Sequence, residues 1–206
     1  MNKYIEFQDK NICHVCKNEV FSKVNGLNIH RNCIPKSNLD EVSACVRYSK
    51  LVEEIIKEIK YKYHYDIVSL IADLMLKNLD ISKLRNSILV PVPLHRAKKR
   101  VRGFNQAELI ALEISSKIKK YGISTQVIEL IRRVRNTKTQ VGMTRQQRVH
   151  NLTDAFIIHK DNSISKSSKI VLVDDVMTTG STLEECAKVL RKDGLKEIKA
   201  MVFSQA

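Results

Sequence analysis

Nowhere in the 206 residues is there a run of about 18 apolar residues, so no segment qualifies as a membrane-spanning helix. The opening residues MNKYIEFQDKN also lack the apolar stretch of a secretory signal. Both absences predict a cytosolic protein. No internal repeat and no low-complexity tract is present, which excludes solenoids and compositionally biased linkers. Aromatic residues are sparse: in the middle of the chain Phe104 and Phe156 are the only phenylalanines, and Phe156 is expected in the core. No obvious stacking platform for a nucleobase stands out. Acids are scarce in one region, because between His95 and His150 only Glu108, Glu113 and Glu129 stand against fourteen Lys and Arg.

That region therefore carries a net +11 of the formal +14. A basic face can serve solubility alone, but clustering on this scale points to a phosphate-rich partner. A hydrophobic content of 43% over this length supports one well-buried core and leaves room for a small appendage.

Five cysteines in a reducing compartment are not expected to pair as disulfides, so their spacing is read first for metal. Cys13-x₂-Cys16 and His30-x₂-Cys33 form two pairs in a segment, Asn11 to Cys33, with little apolar periodicity. The pattern predicts a structural zinc knuckle with Cys13, Cys16, His30 and Cys33 as ligands. Cys45 is a rival fourth ligand. A redox-active CxxC would sit at a strand-helix junction, which this segment lacks. Cys186 falls at core spacing with Leu183 and Leu190.

Apolar positions at helical spacing predict helices over Lys50 to Tyr63 and Ile67 to Leu79. Ile88 to Val92 reads as a buried strand running into a basic loop, Pro91 to Gly103. The residues FNQAELIALEISSKIKKYG read as a helix that stops at Gly122. Further strands are expected at Val127 to Ile131, Asp154 to His159, Ile170 to Val173 and Ile198 to Phe203, with a helix over Ser181 to Lys192. A long polar loop, RRVRNTKTQVGMTRQQRVHN, intervenes. Alternating strands and helices predict an α/β fold with a doubly wound, mostly parallel sheet. The expected division is a knuckle and connecting segment over residues 1–45 and a single α/β domain over 46–206.

The stretch from Ile170 to Leu183, IVLVDDVMTTGSTL, carries the most chemistry. Ligands of parallel sheets bind beyond the carboxyl ends of strands, where Asp174 and Asp175 stand. The loop that follows enters a helix, so its open N–H groups and helix dipole favour an anion. Met177, Thr178, Thr179, Gly180, Ser181 and Thr182 would surround a phosphate. Two acids beside an anion cradle make sense only if they accept from ribose hydroxyls or position Mg²⁺. Gly180 is followed directly by Ser181, without the lysine that a nucleotide P-loop requires. A helix cap alone would need one Ser or Thr, not two acids, four hydroxyls and a glycine.

VLVDDVMTTGSTL resembles the signature of type I phosphoribosyltransferases. Together with PVPLHRAKKRVRGFNQAELIA, RRVRNTKTQVGMTRQQRVHNLTDAF and the cysteine knuckle, the chain resembles the competence protein F family. The resemblance implies a phosphoribosyltransferase-like fold in which Asp174 and Asp175 meet ribose hydroxyls and Mg²⁺, and Met177 to Thr182 hold the 5′-phosphate. It further implies a pyrophosphate loop containing Leu94, His95, Arg96, Arg100 and Arg102, with a mobile hood from Arg132 to Arg148.

The expected ligands are phosphoribosyl pyrophosphate or a related ribose phosphate, with Mg²⁺, and single-stranded DNA. The DNA contacts are expected from Lys98, Lys99, Arg100, Arg102, Arg132, Arg133, Arg135, Lys138, Arg145 and Arg148. The implied role is DNA uptake in natural transformation, cytoplasmic and peripheral to the inner membrane, with other competence proteins as partners. Relatives commonly show a second CxxC where this chain has His30-x₂-Cys33, and the place of Cys45 is apolar in them. Purine-salvage relatives place an acid where Thr178 stands, and a threonine cannot serve as general base near neutral pH. Binding without turnover is therefore the leading expectation, and a transferase with an unidentified acceptor is the alternative.

Overall fold

A computed structural model describes residues 5–8, 12–24, 27–62, 64–135, 154–159 and 164–206. Its centre is a five-stranded sheet built from β1 (Glu41–Arg47), β2 (Ser87–Pro91), β3 (Gln126–Val127), β6 (Lys169–Met177) and β7 (Glu197–Gln205). The spatial order is β1-β7-β6-β2-β3, and every neighbouring pair is parallel. A separate antiparallel pair joins β4 (Ile131–Arg133) to β5 (Phe156–Ile158).

Helices cover both faces, as the apolar run of β6 requires when each side of a strand is buried. On one face α1 (Lys50–Lys62), α2 (Tyr65–Asn78) and α4 (Gln106–Ile118) bring Ile59, Ile71, Met75 and Ile110 onto Leu89, Val171, Val173 and Phe203. On the other, α5 (Ser181–Lys192) sets Leu183, Cys186 and Leu190 against Ile170, Leu172 and Val202, with Ile131 and Phe156 beside them. Cys186 and Phe156 are thus core residues.

Three elements differ from the sequence expectation. The basic stretch after β2 contains a short helix, α3 (Arg96–Arg102), capped by Gly103 in the left-handed region at φ 85°. It buries no side chain, and Val101 is 92% exposed, so no apolar periodicity announces it. The strand expected over Val127 to Ile131 is divided: after pairing with Leu89 at Val127 the chain leaves the sheet and enters β4. Residues 41–47, where no sheet strand is expected, form the edge strand β1 against β7. The expected boundary between residues 45 and 46 falls inside that strand.

Candidate functional site

The chain leaves β2 toward β3 on one side and leaves β6 toward β7 on the other, so the sheet has its topological switch point between β2 and β6. A crevice opens at the carboxyl ends of such strands. Pro91 is the last residue of β2 and pairs with Val173. Val92 donates one more bond to the Val173 carbonyl at 2.9 Å, and then Pro93 carries the chain away. β6 runs on beside β7 as far as Met177. Its flank beyond Val173 therefore faces the crevice, and the first residues there are Asp174 and Asp175. Asn105 fixes the far side: its side-chain amide donates to the Val92 carbonyl at 3.0 Å, and its oxygen caps α4 through Ala107 N–H.

The two acids occupy different surroundings. Asp174 is half-buried and borders the cleft formed by the loop from Met177 to Leu183. Asp175 is buried on the α1 and α4 side, with Lys60 Nζ 2.5 Å from Oδ2 and Gln106 Nε2 donating to Oδ1 at 3.2 Å. Burial, and then the charge of Asp175, push the Asp174 carboxyl well above its ordinary range. Burial pushes Asp175 up as well, but Lys60, with hydrogen bonds from Asp174 and Gln106, prevails and holds it low. Asp175 is the firmly ionised member of the pair.

Gly180 turns the loop into α5 at φ 78°, a left-handed conformation that a side chain would strain. A Cβ at that position would meet Met177 Sδ at 3.6 Å, an ordinary contact, so the conformation rather than crowding calls for glycine. Met177 is itself buried and supports the loop from within. Thr178, Thr179 and Thr182 border the cleft; Thr179 Oγ1 lies 2.9 Å from the buried Ser181 hydroxyl. Gly180 supplies no side-chain cap, which leaves the first turn of α5 as the dipole end facing the cleft.

A second cleft joins Leu94, Arg96 and Lys99 to Arg132 and Arg133, so the two basic segments meet there, and the charge of Arg133 acts on Asp174. Arg96, Arg100, Arg132 and Arg135 are exposed. His95 caps α3, its Nδ1 accepting from Ala97 N–H at 3.2 Å. Burial lowers the Lys98 pKa, and Arg133, Arg102 and Lys60 add repulsion, which marks these four cations as neighbours. Lys99 lies between Glu108 and Glu129, at 3.1 Å from each. Arg102 donates to Gln106 at 2.6 Å and stands over the Tyr61 ring at 5.7 Å. Arg133 stands over the Phe156 ring at 5.4 Å. Lys138, Arg145 and Arg148 lie outside the described residues.

Lys60 and Tyr61 lie in no motif, and Gln106, although within PVPLHRAKKRVRGFNQAELIA, is not among the expected site residues. Tyr61 is 77% exposed beside the basic helix. The only signal was weak: an aromatic and a lysine breaking the apolar pattern at the end of α1.

In the appendage, Cys13, Cys16, His30 and Cys33 place their ligand atoms within 4.8 Å of one another. Metal–ligand bonds of about 2.0–2.3 Å would draw such a set together with little movement. Cys13-x₂-Cys16 is bent by a turn in which Lys17 N–H donates to the Cys13 carbonyl at 2.8 Å and Lys17 takes φ 65°. His30 Nδ1 lies 3.3 Å from Cys16 Sγ, while Nε2 bonds the Glu19 carbonyl at 3.1 Å, the outer contact that orients a metal-binding imidazole. Burial opposes ionisation of Cys13, but the N–H groups of Cys16, His30 and Val15 bring its pKa down to about 6. Cys45 is outside this set, buried in the core against α1 and α2.

The model of the phosphoribosyl transferase domain matches residues 103–205, half of the chain. The chain belongs to that family. Its similarity to competence protein F of Haemophilus influenzae is 29% identity over 85% of this chain and 77% of the relative. DNA utilization protein YhgH of Escherichia coli K12 is 28% identical over 74% of this chain and 66% of its own length. For competence protein ComFC of Bacillus subtilis the figures are 25%, 71% and 56%. The chain thus spans a little over half to about three quarters of these relatives. The expected competence protein F resemblance stands on these matches. Among solved structures, a hypoxanthine phosphoribosyltransferase from Staphylococcus aureus is similar at 12% identity and TM-score 0.40, covering 73% of this chain and 71% of that one.

Proposed function

We propose that this phosphoribosyl transferase-family protein binds a phosphoribosyl group and single-stranded DNA in support of DNA uptake; its relatives are named for competence and DNA utilization. The observation that carries the reading is a pair of clefts, one lined by Asp174 and the Thr178 to Thr182 loop and the other by Pro91 at the end of β2 with Arg96, Arg132 and Arg133, with the charge of Arg133 acting on Asp174. Asp174 would accept from a ribose hydroxyl, and the amides and hydroxyls of the loop would hold the 5′-phosphate. Arg96, Lys98 and Arg133 would neutralise a pyrophosphate. Asp174 also fits Mg²⁺, which commonly rests on one or two carboxylates plus ligand phosphates and would supply charge neutralisation there. The Cys₃His cluster fits zinc held for structure. The protein would work in the cytoplasm, peripheral to the inner membrane and beside other competence proteins. The knuckle around Cys13 to Cys33, within the expected unit of residues 1–45, is proposed as an accessory to the α/β domain.

Single-stranded DNA would lie along the exposed Arg96, Arg100, Arg132 and Arg135, with Tyr61 available for one base. Competition tests the reading: phosphoribosyl pyrophosphate should displace a fluorescent single-stranded oligonucleotide in part. Independent, simultaneous binding would separate the two sites.

Turnover is a second reading, favoured by cations placed to receive a leaving pyrophosphate. Release of pyrophosphate from the donor in the presence of nucleobases, nucleotides or DNA would establish it. Thr178 stands against a purine acceptor.

A further inference from the structure

The appendage has only a small apolar cluster of its own, Cys13, Val20, Ile29 and Cys33, and polar bonds tie it to the α/β domain. His30 and Cys33 stand at a 3₁₀ turn, Arg31–Lys36, in which Cys33 N–H donates to the His30 carbonyl at 2.8 Å. Pro35 stiffens the turn, and Ser37 N–H closes it on the Ile34 carbonyl at 3.3 Å. The place of Ser37 is thereby set from Cys33. Past the turn, the Ser37 hydroxyl donates to Glu184 Oε1 at 2.5 Å, and the Asn38 N–H and side-chain amide donate to Oε2 at 2.8 and 3.2 Å. His14, between Cys13 and Cys16, has Nε2 3.0 Å from the same Ser37 hydroxyl. Near the other end of α5, Arg191 donates to the Asn38 carbonyl at 3.1 Å and pairs with Asp40 at 2.7 Å.

Glu184 lies in the first turn of α5, and its N–H donates to the carbonyl of Gly180, the residue that turns the phosphate loop into the helix. The cleft is lined by Asp174 and by residues as far as Leu183, so it stops just short of this acid. A first-turn carboxylate is attracted to the positive end of its own helix, where it would repel a bound phosphate and compete for the same N–H groups. The donors of Ser37 and Asn38 draw it the other way. We propose that Ser37 and Asn38 are positioning residues through which the metal-held knuckle keeps the Glu184 charge off the anion cleft. The knuckle thus acts on phosphate binding although none of its residues lines that cleft. The effect on phosphate rests on the ribose-phosphate reading of the cleft; the clasp on Glu184 does not.

Hydrogen exchange without ligand tests the clasp. Removing zinc with a chelator should speed exchange of the Asn38 amide at least about tenfold and leave the Ile110 and Ala111 amides of α4 unchanged. Unchanged protection of Asn38 would overturn the clasp. Calorimetric titration with ribose 5-phosphate at low salt tests the charge. Ser37→Ala with Asn38→Ala, still holding zinc, should weaken binding about fivefold, and adding Glu184→Gln should restore most of the affinity. A merely structural role would give no such rescue. Zinc removal should likewise weaken the wild type about fivefold and Glu184→Gln little. Unchanged affinity in the Ser37, Asn38 double variant, no recovery on adding Glu184→Gln, or equal losses on zinc removal with and without the Glu184 charge would overturn the proposal. A wild type that binds no ribose 5-phosphate overturns the reading of the cleft, while the Asn38 exchange still decides the clasp.

Discussion

At the scale of single residues, two adjacent carboxylates with the same side chain are driven apart by what touches them. The Asp174 pKa is raised by burial and by Asp175, so its contribution to stability is present at low pH and is lost as pH rises through the raised value. Asp174→Asn removes that penalty. Its Tm should exceed that of the wild type at pH 7 by about 3 °C or more, and the difference should close as pH falls below about 4, the unfolded-state value. Asp175 is held low by Lys60 against the effect of burial, so Asp175→Asn should lower Tm at pH 7, with that deficit also shrinking in acid. Differential scanning calorimetry across pH would show both trends; a lower Tm for Asp174→Asn at pH 7 would contradict the assignment.

What was legible at this scale was the signature itself, because two acids, four hydroxyls and a glycine within nine residues are hard to account for as a helix cap. The different surroundings of the acids were not legible, since nothing in DD says which one a lysine on a distant helix will reach.

Among the elements, α5 links the phosphate loop to the appendage. Glu184, in its first turn, accepts from the Ser37 hydroxyl at 2.5 Å and from the Asn38 backbone and side chain at 2.8 and 3.2 Å. His14, inside the Cys13-x₂-Cys16 turn, lies 3.0 Å from the same Ser37 hydroxyl. Three bonds to one carboxylate are substantial, and Glu184→Ala should destabilise the protein by about 2–4 kcal/mol in urea titration. Elemental analysis should find about one zinc per chain, lost in His30→Ala and retained in Cys45→Ala; the reverse pattern would reassign the fourth ligand.

Of the elements themselves, β2, β6, α4 and α5 were readable because they are long and periodic or continuously apolar. Helix α3 was not, since a helix that buries nothing leaves no pattern. β1 was not read as part of the sheet because its partner β7 lies at the other end of the chain. Strands of such separation are joined by topology, not by any local signal.

On the scale of the whole molecule, a net +11 of the formal +14 falls between His95 and His150, and Arg96, Lys99, Arg132 and Arg133 of that segment line one cleft. If single-stranded DNA binds there, counterion release sets the salt dependence at roughly −0.7 per phosphate on a log-log plot. Arg96, Arg100 and Arg132 are exposed, whereas Lys99 is already occupied by Glu108 and Glu129. Neutralising those three arginines should flatten the slope by about two units, and neutralising Lys99 should change it little. An unchanged slope in the triple variant would mean that the basic face is only solvated.

The central claim is that the crevice between β2 and β6 holds a phosphoribosyl group through Asp174 and the loop after it. It is tested most directly by calorimetric titration of phosphoribosyl pyrophosphate with Mg²⁺ into the wild type and Asp174→Asn. The account predicts saturable one-to-one binding by the wild type and a loss of at least about tenfold in the variant, which remains folded. Equal affinity in the two proteins, or no binding by the wild type, would contradict it.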